Sequence, residues 1–241
     1  MMHEETINIL RSIGSSRRHF APKQMDVGQL GLASLSYALA GEDLALRQLF
    51  KKRFLAKQPG IYVDVGCSEP VSISNTFLFY CSGWRGLCVD PNAQYTGMWA
   101  TTRKDDVFVN AAVGECPGEV SFFLHKENYG MSRISDGPNP LGDDFDPSPV
   151  RVPMQRLDTL LAEHIGDKQV QFMTIDVEGA ELGVLRSNDW NRWRPEAVLI
   201  ECVEFDFMAP TAVPTISFLL DKGYVLHLKV GGNVILIREE S

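Results

Sequence analysis

A series of short apolar runs in this chain each ends in a polar residue or in glycine: Tyr62-Val63-Asp64-Val65-Gly66, Leu87-Cys88-Val89-Asp90-Pro91-Asn92, Val107-Phe108-Val109-Asn110-Ala111, Phe172-Met173-Thr174-Ile175-Asp176-Val177-Glu178-Gly179, and Ala197-Val198-Leu199-Ile200-Glu201. If the runs are strands of a parallel sheet, these residues stand at the carboxyl ends, where open α/β sheets bind ligands. Gly66 removes a side chain where backbone must approach a ligand closely. Asp90, at the next run's end, has the acceptor chemistry that ribose hydroxyls require. Asn110 beside small Ala111 offers one donor and one acceptor to an adenine edge. The structural alternative is that Asp64 caps a turn and Asp90 merely precedes Pro91 in an ordinary loop.

Two large enzyme classes place nucleosides in this way, dinucleotide oxidoreductases and S-adenosylmethionine-dependent methyltransferases. The dinucleotide fingerprint needs three glycines so that a pyrophosphate can sit on a helix N-terminus, and Gly66-Cys67-Ser68-Glu69-Pro70-Val71 supplies only the first. Glu69 would repel a pyrophosphate, whereas a sulfonium donor with an amino acid end tolerates it. Charge therefore favours the methyl donor.

The elements that must position these groups follow from periodicity. Glu42 and Asp43 open a segment that Lys51, Lys52 and Arg53 close, and Leu46, Leu49, Phe50 and Phe54 recur at helical spacing, so a helix is expected before the first strand. Continuous apolar runs separated by crossover-length segments imply a parallel sheet covered on both faces, with Val107 to Val113 read as one run and Val120 to His125 as an added strand. Gly179 to Trp190 can supply a helix. Tyr224–Val230 and Asn233 to Glu239, joined by Gly231-Gly232, form a hairpin. Asn128 to Val150 carries Pro, Gly and Asp without a period and reads as a long loop, either an active-site cover or a surface loop. Residues 1–35 are taken as a helical extension, with Arg17-Arg18-His19 a solvated face, and residues 36–241 as the catalytic domain.

The 241 residues suit one large domain, and a net charge of −8 with 44% hydrophobic and 22% charged residues describes a soluble globular chain with no general affinity for nucleic acid. The five cysteines never form C-x-x-C, which argues against a zinc site or disulfide framework and for a reducing compartment. No stretch approaches a membrane span or a signal peptide, so a cytoplasmic location is expected. A homo-oligomer is compatible with the sequence.

The block Ser36 to Phe50 (SYALAGEDLALRQLF), Tyr62 to Asn92 (YVDVGCSEPVSISNTFLFYCSGWRGLCVDPN), Asn110 to Gly114, Arg156 to Leu161 and Thr174 to Leu185 (TIDVEGAELGVL) resembles the FkbM family of S-adenosylmethionine-dependent methyltransferases. The resemblance implies a Rossmann-like class I methyltransferase fold: a mostly parallel sheet with helices on both faces and a C-terminal antiparallel hairpin. It implies S-adenosyl-L-methionine as cofactor and methyl transfer to an oxygen of a sugar, glycan or natural product. Asp64, Gly66 and Cys67 would form the donor loop with Asn75 close by; Asp90 would hold the ribose; Asn110 and Ala111 would flank the adenine; and Glu42 would reach the donor's amino acid end. The chain lacks the family's frequent Gln before Gly-Glu-Asp, and Cys67-Ser68 is an unusual continuation of the donor loop.

Transfer to a hydroxyl also needs a proton acceptor. Asp176, Glu178 and Glu201 are the catalytic candidates, with Asp176 also counted among the cofactor-binding residues. Glu178 and Glu181 can alternatively be first-turn acids of a helix, and Glu201 a structural hydrogen-bonding partner. The three carboxylates are hard ligands suited to magnesium or calcium, but no fixed-spacing motif accompanies them, so no metal ligand is assigned. His125 and His227 are read as structural, and Trp84 and Trp99 as core. The alternatives to a methyltransferase are an idle binding or scaffold protein on this fold and a nicotinamide-dependent oxidoreductase.

Overall fold

The computed structural model describes residues 34–135 and 142–239; most of the expected 1–35 extension, including Arg17-Arg18-His19, lies outside them. In chain order the helices are α1 (Glu42–Leu49), α2 (Lys51–Leu55), α3 (Phe77–Cys81), α4 (Thr96–Thr102), α5 (Leu157–His164), α6 (Glu181–Arg186) and α7 (Pro214–Asp221). The strands are β1 (Ile61–Val65), β2 (Arg85–Val89), β3 (Val107–Val109), β4 (Ala112–Val113), β5 (Gly118–Phe123), β6 (Arg133–Ser135), β7 (Val150–Gln155), β8 (Phe172–Ile175), β9 (Ala197–Glu201), β10 (Tyr224–Val230) and β11 (Asn233–Arg238).

The main sheet has seven strands in the order β10-β11-β9-β8-β1-β2-β3. The strands from β9 to β3 pair in parallel, and β11 runs antiparallel to both neighbours. The order reverses at β1, which pairs with β2 on one side and β8 on the other, so a crevice opens between the two halves at the carboxyl ends. This is the Rossmann-like arrangement with its antiparallel terminal hairpin.

Alternation along the buried strands divides the core in two. Val63, Val65, Met173, Ile175, Val198 and Ile200 pack in one cluster, while Tyr62, Phe172, Ala197 and Leu199 meet Trp84, Trp99, Phe50 and Phe79 in the other. Trp84 and Trp99 are thus core residues. Runs that are apolar at every position are what a sheet covered on both faces requires.

Three local readings change. The expected helix from Glu42 is interrupted at Phe50, whose φ of −90° and ψ of 19° close α1 and open α2 while Leu46 and Phe50 stay in the core. The run Val107 to Val113 is cut at Asn110, so that β3 ends the main sheet and β4 begins a second sheet ordered β4-β7-β5-β6. The stretch read as an unstructured loop after Asn128 contains a short 3-10 turn (Tyr129–Met131) and β6, and it ends in β7. Backbone pairing with β5, which an aperiodic sequence does not advertise, supplies that order.

One buried charge fastens the loop after β1. Arg103, with a side-chain exposure of 0%, pairs with Asp106 at 2.7 Å. Its Nη1 donates to the Pro70 carbonyl (3.2 Å) and Ser74 Oγ (3.3 Å), and its Nη2 to Tyr62 Oη (2.8 Å) and Thr76 Oγ1 (3.0 Å). Thr76 Oγ1 in turn donates to Asp64 Oδ2 at 2.6 Å. Removing one partner of a buried pair leaves the other uncompensated, a loss of about 3–5 kcal/mol. Arg103→Met is therefore expected to lower the unfolding free energy by about that amount in urea titrations; a change within about 1 kcal/mol would show that the network is not holding the loop.

Candidate active site

The crevice at the carboxyl ends of β1, β2 and β8 holds a cleft, with Gly66, Asp90, Ala111, Asp176, Glu178, Tyr129 and Arg133 among its walls. At the end of β1 the backbone turns through Gly66 (φ 80°) and Ser68 (φ 49°). A Cβ at Gly66 would overlap the Asp176 carbonyl, so the glycine is required by the approach of the β8 end itself. The loop amides are engaged: Gly66 and Cys67 donate to the Val89 carbonyl (2.9 and 3.3 Å), and Ser68 donates to Asp90 Oδ2 (2.9 Å). A pyrophosphate would find none of these three N–H groups available.

Asp90 is held from two sides, by the Ser68 amide and by the Asn92 amide (2.8 Å). Burial pushes its carboxyl up to about 6, against the lowering effect of those two amides. Asn110 turns back and donates from Nδ2 to the Asp90 carbonyl at 2.9 Å, bracing the end of β2, while Ala111 lines the cleft.

Other expected donor residues stand behind the cleft. Asp64 is buried against Thr76, with its carboxyl also pushed up to about 6 by burial. Cys67 is buried, and desolvation raises its thiol. Asn75 donates to Thr174 Oγ1 at 3.1 Å, and Ser74 Oγ accepts from the Phe77 amide at the start of α3, so Ser74-Asn75-Thr76 ties that helix to β8 and β1. Glu42 accepts from the Ala40 amide (2.7 Å) and from Asn233 Nδ2 (3.0 Å); it is buried beside the hairpin turn and is not among the cleft walls.

Asp176, Glu178 and Glu201, from three positions at the ends of β8 and β9, bring carboxylate oxygens within 4.8 Å of one another. Burial first, then the charges of Glu201, Glu178 and Glu181, push Asp176 up to about 8, and burial and Glu181 raise Glu201 as well. Burial and Glu201 raise Glu178, while Arg133, whose Nη2 lies 3.5 Å from Glu178 Oε2, pulls it back down. Glu178 sits at φ 55°, a left-handed conformation rarely adopted outside glycine, which turns it out of the following helix and into the cleft. Glu181 plays the helix-start role instead: its Oε1 accepts from the amides of Gly179 (2.9 Å) and Val177 (3.2 Å).

Sequence reading alone does not find Ser68, Tyr129, Arg133 or the Arg103 network. Nothing in the order Ser132-Arg133-Ile134 signals that the second sheet will deliver Arg133 to β8. His125 is structural, its Nδ1 accepting from the Glu127 and Asn128 amides, and His227 is exposed. Among the described residues no helix is long and apolar enough to cross a membrane.

The strand order and the acidic β2 end define a class I methyltransferase architecture. The model of the FkbM methyltransferase domain matches residues 64–226, more than half of the chain, and the chain belongs to that family. Among solved structures it is similar to an FkbM methyltransferase from Methylobacillus flagellatus, with 14% identity, a TM-score of 0.47 and 74% of this chain covered; the chain spans 43% of that protein's length. It is also similar to a TehB-like SAM-dependent methyltransferase from Corynebacterium glutamicum (9% identity, TM-score 0.41, 98% of this chain and 97% of that one). A precorrin-6y C5,15-methyltransferase from Geobacter metallireducens shows 14% identity and a TM-score of 0.37 over 79% of this chain and 86% of its own. No curated protein matches.

The raised Asp176 carboxyl makes stability depend on pH. Below its ordinary value of 3.8 it is protonated folded or unfolded, and the burial penalty is absent. As pH rises towards about 8 the unfolded chain ionises while the folded one keeps the proton, so stability drains away across that window. Asp176→Asn cannot ionise, and its unfolding free energy minus that of the wild type should increase between pH 5 and pH 9 in urea titrations. A difference that stays flat with pH would contradict the raised Asp176 carboxyl.

Proposed function

We propose that residues 36–241 form a methyltransferase domain that binds S-adenosyl-L-methionine in this cleft and methylates a hydroxyl of a sugar, glycan or natural product. The observation that carries the reading is Asp90: a carboxylate at the β2 end, oriented by the Ser68 and Asn92 amides and facing a cleft with small Ala111 beside it. These residues fit a nucleoside, since two carboxylate oxygens match paired ribose hydroxyls and a flat, uncrowded wall matches adenine. The engaged amides of residues 66–68 speak against a dinucleotide and so against the oxidoreductase alternative. When bound, the donor supplies an electrophilic methyl group on a sulfonium.

The chain's own contribution is placement and proton transfer. In this reading Gly66 and Asp90 fix the donor, and Asp64, Cys67 and Asn75 shape its loop from behind. Glu42 acts through Asn233 at the hairpin rather than by touching the donor. Tyr129 and Arg133 cover the opposite side, so the segment after Asn128 serves as part of the lid. Holding the acceptor oxygen in line with the methyl group lowers the barrier most, by about 7–11 kcal/mol where orientation is good. As the carbon–oxygen bond forms, the hydroxyl proton passes to the acidic trio, where Glu178 and Glu201 are the carboxylates positioned to take it and Asp176 holds the proton that keeps the trio from full mutual repulsion.

Isothermal titration with S-adenosylhomocysteine tests the donor site. The wild type should bind, and Asp90→Ala should weaken binding about tenfold or more, the loss expected when hydrogen bonds to a charged group are removed. No heat from either S-adenosylmethionine or its demethylated product would overturn the proposal.

A further inference from the structure

Among the described residues, Arg133 is the one cationic side chain on the walls of a cleft that also carries Asp90, Asp176 and Glu178. Its position is built. Strand β6 sets it in register with Phe123 of β5, the Oγ of neighbouring Ser132 accepts from the His125 amide (3.0 Å), and the guanidinium lies over the ring of buried Phe145, 5.3 Å from its centroid. With one face held by an aromatic ring, the guanidinium has its N–H edges left for hydrogen bonds. The described chain does not meet them. The Nη2 contact with Glu178 at 3.5 Å is at the limit of a hydrogen bond, and Nε is buried with no partner. Elsewhere the chain closes its arginine pairs tightly: Arg103 reaches Asp106 at 2.7 Å, and Arg156 reaches Asp158 with Nη2 at 2.6 Å and Nε at 3.1 Å. An arginine serving only to neutralise Glu178 would be expected to close in the same way, because an unmatched buried donor costs free energy until a partner answers it.

We propose that Arg133 receives a carboxylate of the acceptor, so that the substrate is a hydroxy acid, such as a uronic acid, whose hydroxyl lies at Asp176 and Glu178. The inference rests on the methyl-transfer reading for where that hydroxyl must be. A carboxylate offers two oxygens to the planar guanidinium fork and brings one negative charge to one cation. A phosphate dianion would bring about twice that charge against the acidic side chains of the same walls. A neutral sugar would leave the guanidinium as it stands, loosely paired with Glu178 and with Nε unanswered. The donor's amino acid end also carries a carboxylate, and titration separates the two sources.

The test titrates methyl β-glucuronide and methyl β-glucoside into the isotopically labelled full chain, with and without S-adenosylhomocysteine, and follows the Arg133 Nε–H resonance, identified by its loss in Arg133→Lys. The glucuronide should shift that resonance and bind at least about tenfold more tightly than the glucoside, the gain a charge-assisted pair supplies. Arg133→Met should bring the two affinities together. Arg133→Lys, which keeps the charge without the fork, should narrow the gap without closing it, and it keeps the test decisive if the methionine variant does not fold. Arg151→Met, which removes a charge from β7 outside the cleft, should leave the wild-type gap. Equal binding of the two glycosides to the wild type, a glucuronide preference that survives Arg133→Met, or an unmoved Nε–H resonance would overturn the proposal. So would loss, in Arg133→Met, of the affinity advantage of S-adenosylhomocysteine over methylthioadenosine, which lacks the amino acid end, because the carboxylate taken is then the donor's. Failure of the donor reading appears separately, as absence of S-adenosylhomocysteine binding, and the titrations on the free chain still decide Arg133.

Discussion

The buried guanidinium of Arg103 is the constraint on which the rest of the crevice depends. A charge with no solvent exposure is tolerable only when its hydrogen bonds are met, and Arg103 meets them across elements far apart in sequence: Asp106 after α4, Tyr62 on β1, and Pro70, Ser74 and Thr76 in the loop after β1. Through Thr76 the network reaches Asp64, so a carboxylate that burial alone would make costly is given a partner. The loop after β1 therefore takes its shape from beneath. Pro70 has its role here as well: its carbonyl is a fixed acceptor for the arginine.

The acidic trio is managed in a different way. Around Asp64 a cation is placed within the network; around Asp176 burial and the approach of like charges push the carboxyl up instead. The difference is suited to the two locations. Asp64 anchors a loop, whereas in the proposed reaction a carboxylate that accepts a proton is useful only if its charge is not locked by a close guanidinium. Arg133 stands at the long distance of 3.5 Å from Glu178, near enough to favour its ionised form and too far to hold it tightly.

The main sheet is legible in the sequence because strands buried on both faces must be apolar throughout, and the polar residues that terminate them then mark the site. Asp90, Asp176 and Glu201 stand out for that reason. The second sheet is not legible: β4 is two residues long, β6 is three, and β7 contains Pro153, so their order comes from pairing with β5 rather than from any local pattern. Arg103 is hidden by the same logic, because a Thr-Arg-Lys-Asp-Asp sequence reads as solvated charge unless the fold above it is known. Gly66 stands where the β1 run predicts, but ligand approach is only part of what requires it. The Asp176 carbonyl occupies the space a side chain would need.

That contact couples the two halves of the crevice. Gly66 follows β1 and Asp176 follows β8, and their backbones touch at the reversal of strand order. Asp176 thus contributes a carbonyl to the packing of the loop after β1 and a carboxyl to the trio. A shift of the loop on donor binding would be transmitted to Asp176 through a contact too close to absorb it, because packed backbone has no soft direction in which to yield. In the proposed reaction this places the acidic carboxylates in register with the donor by covalent geometry and packing, with no movable element between them, which is the rigidity that alignment of an in-line displacement demands.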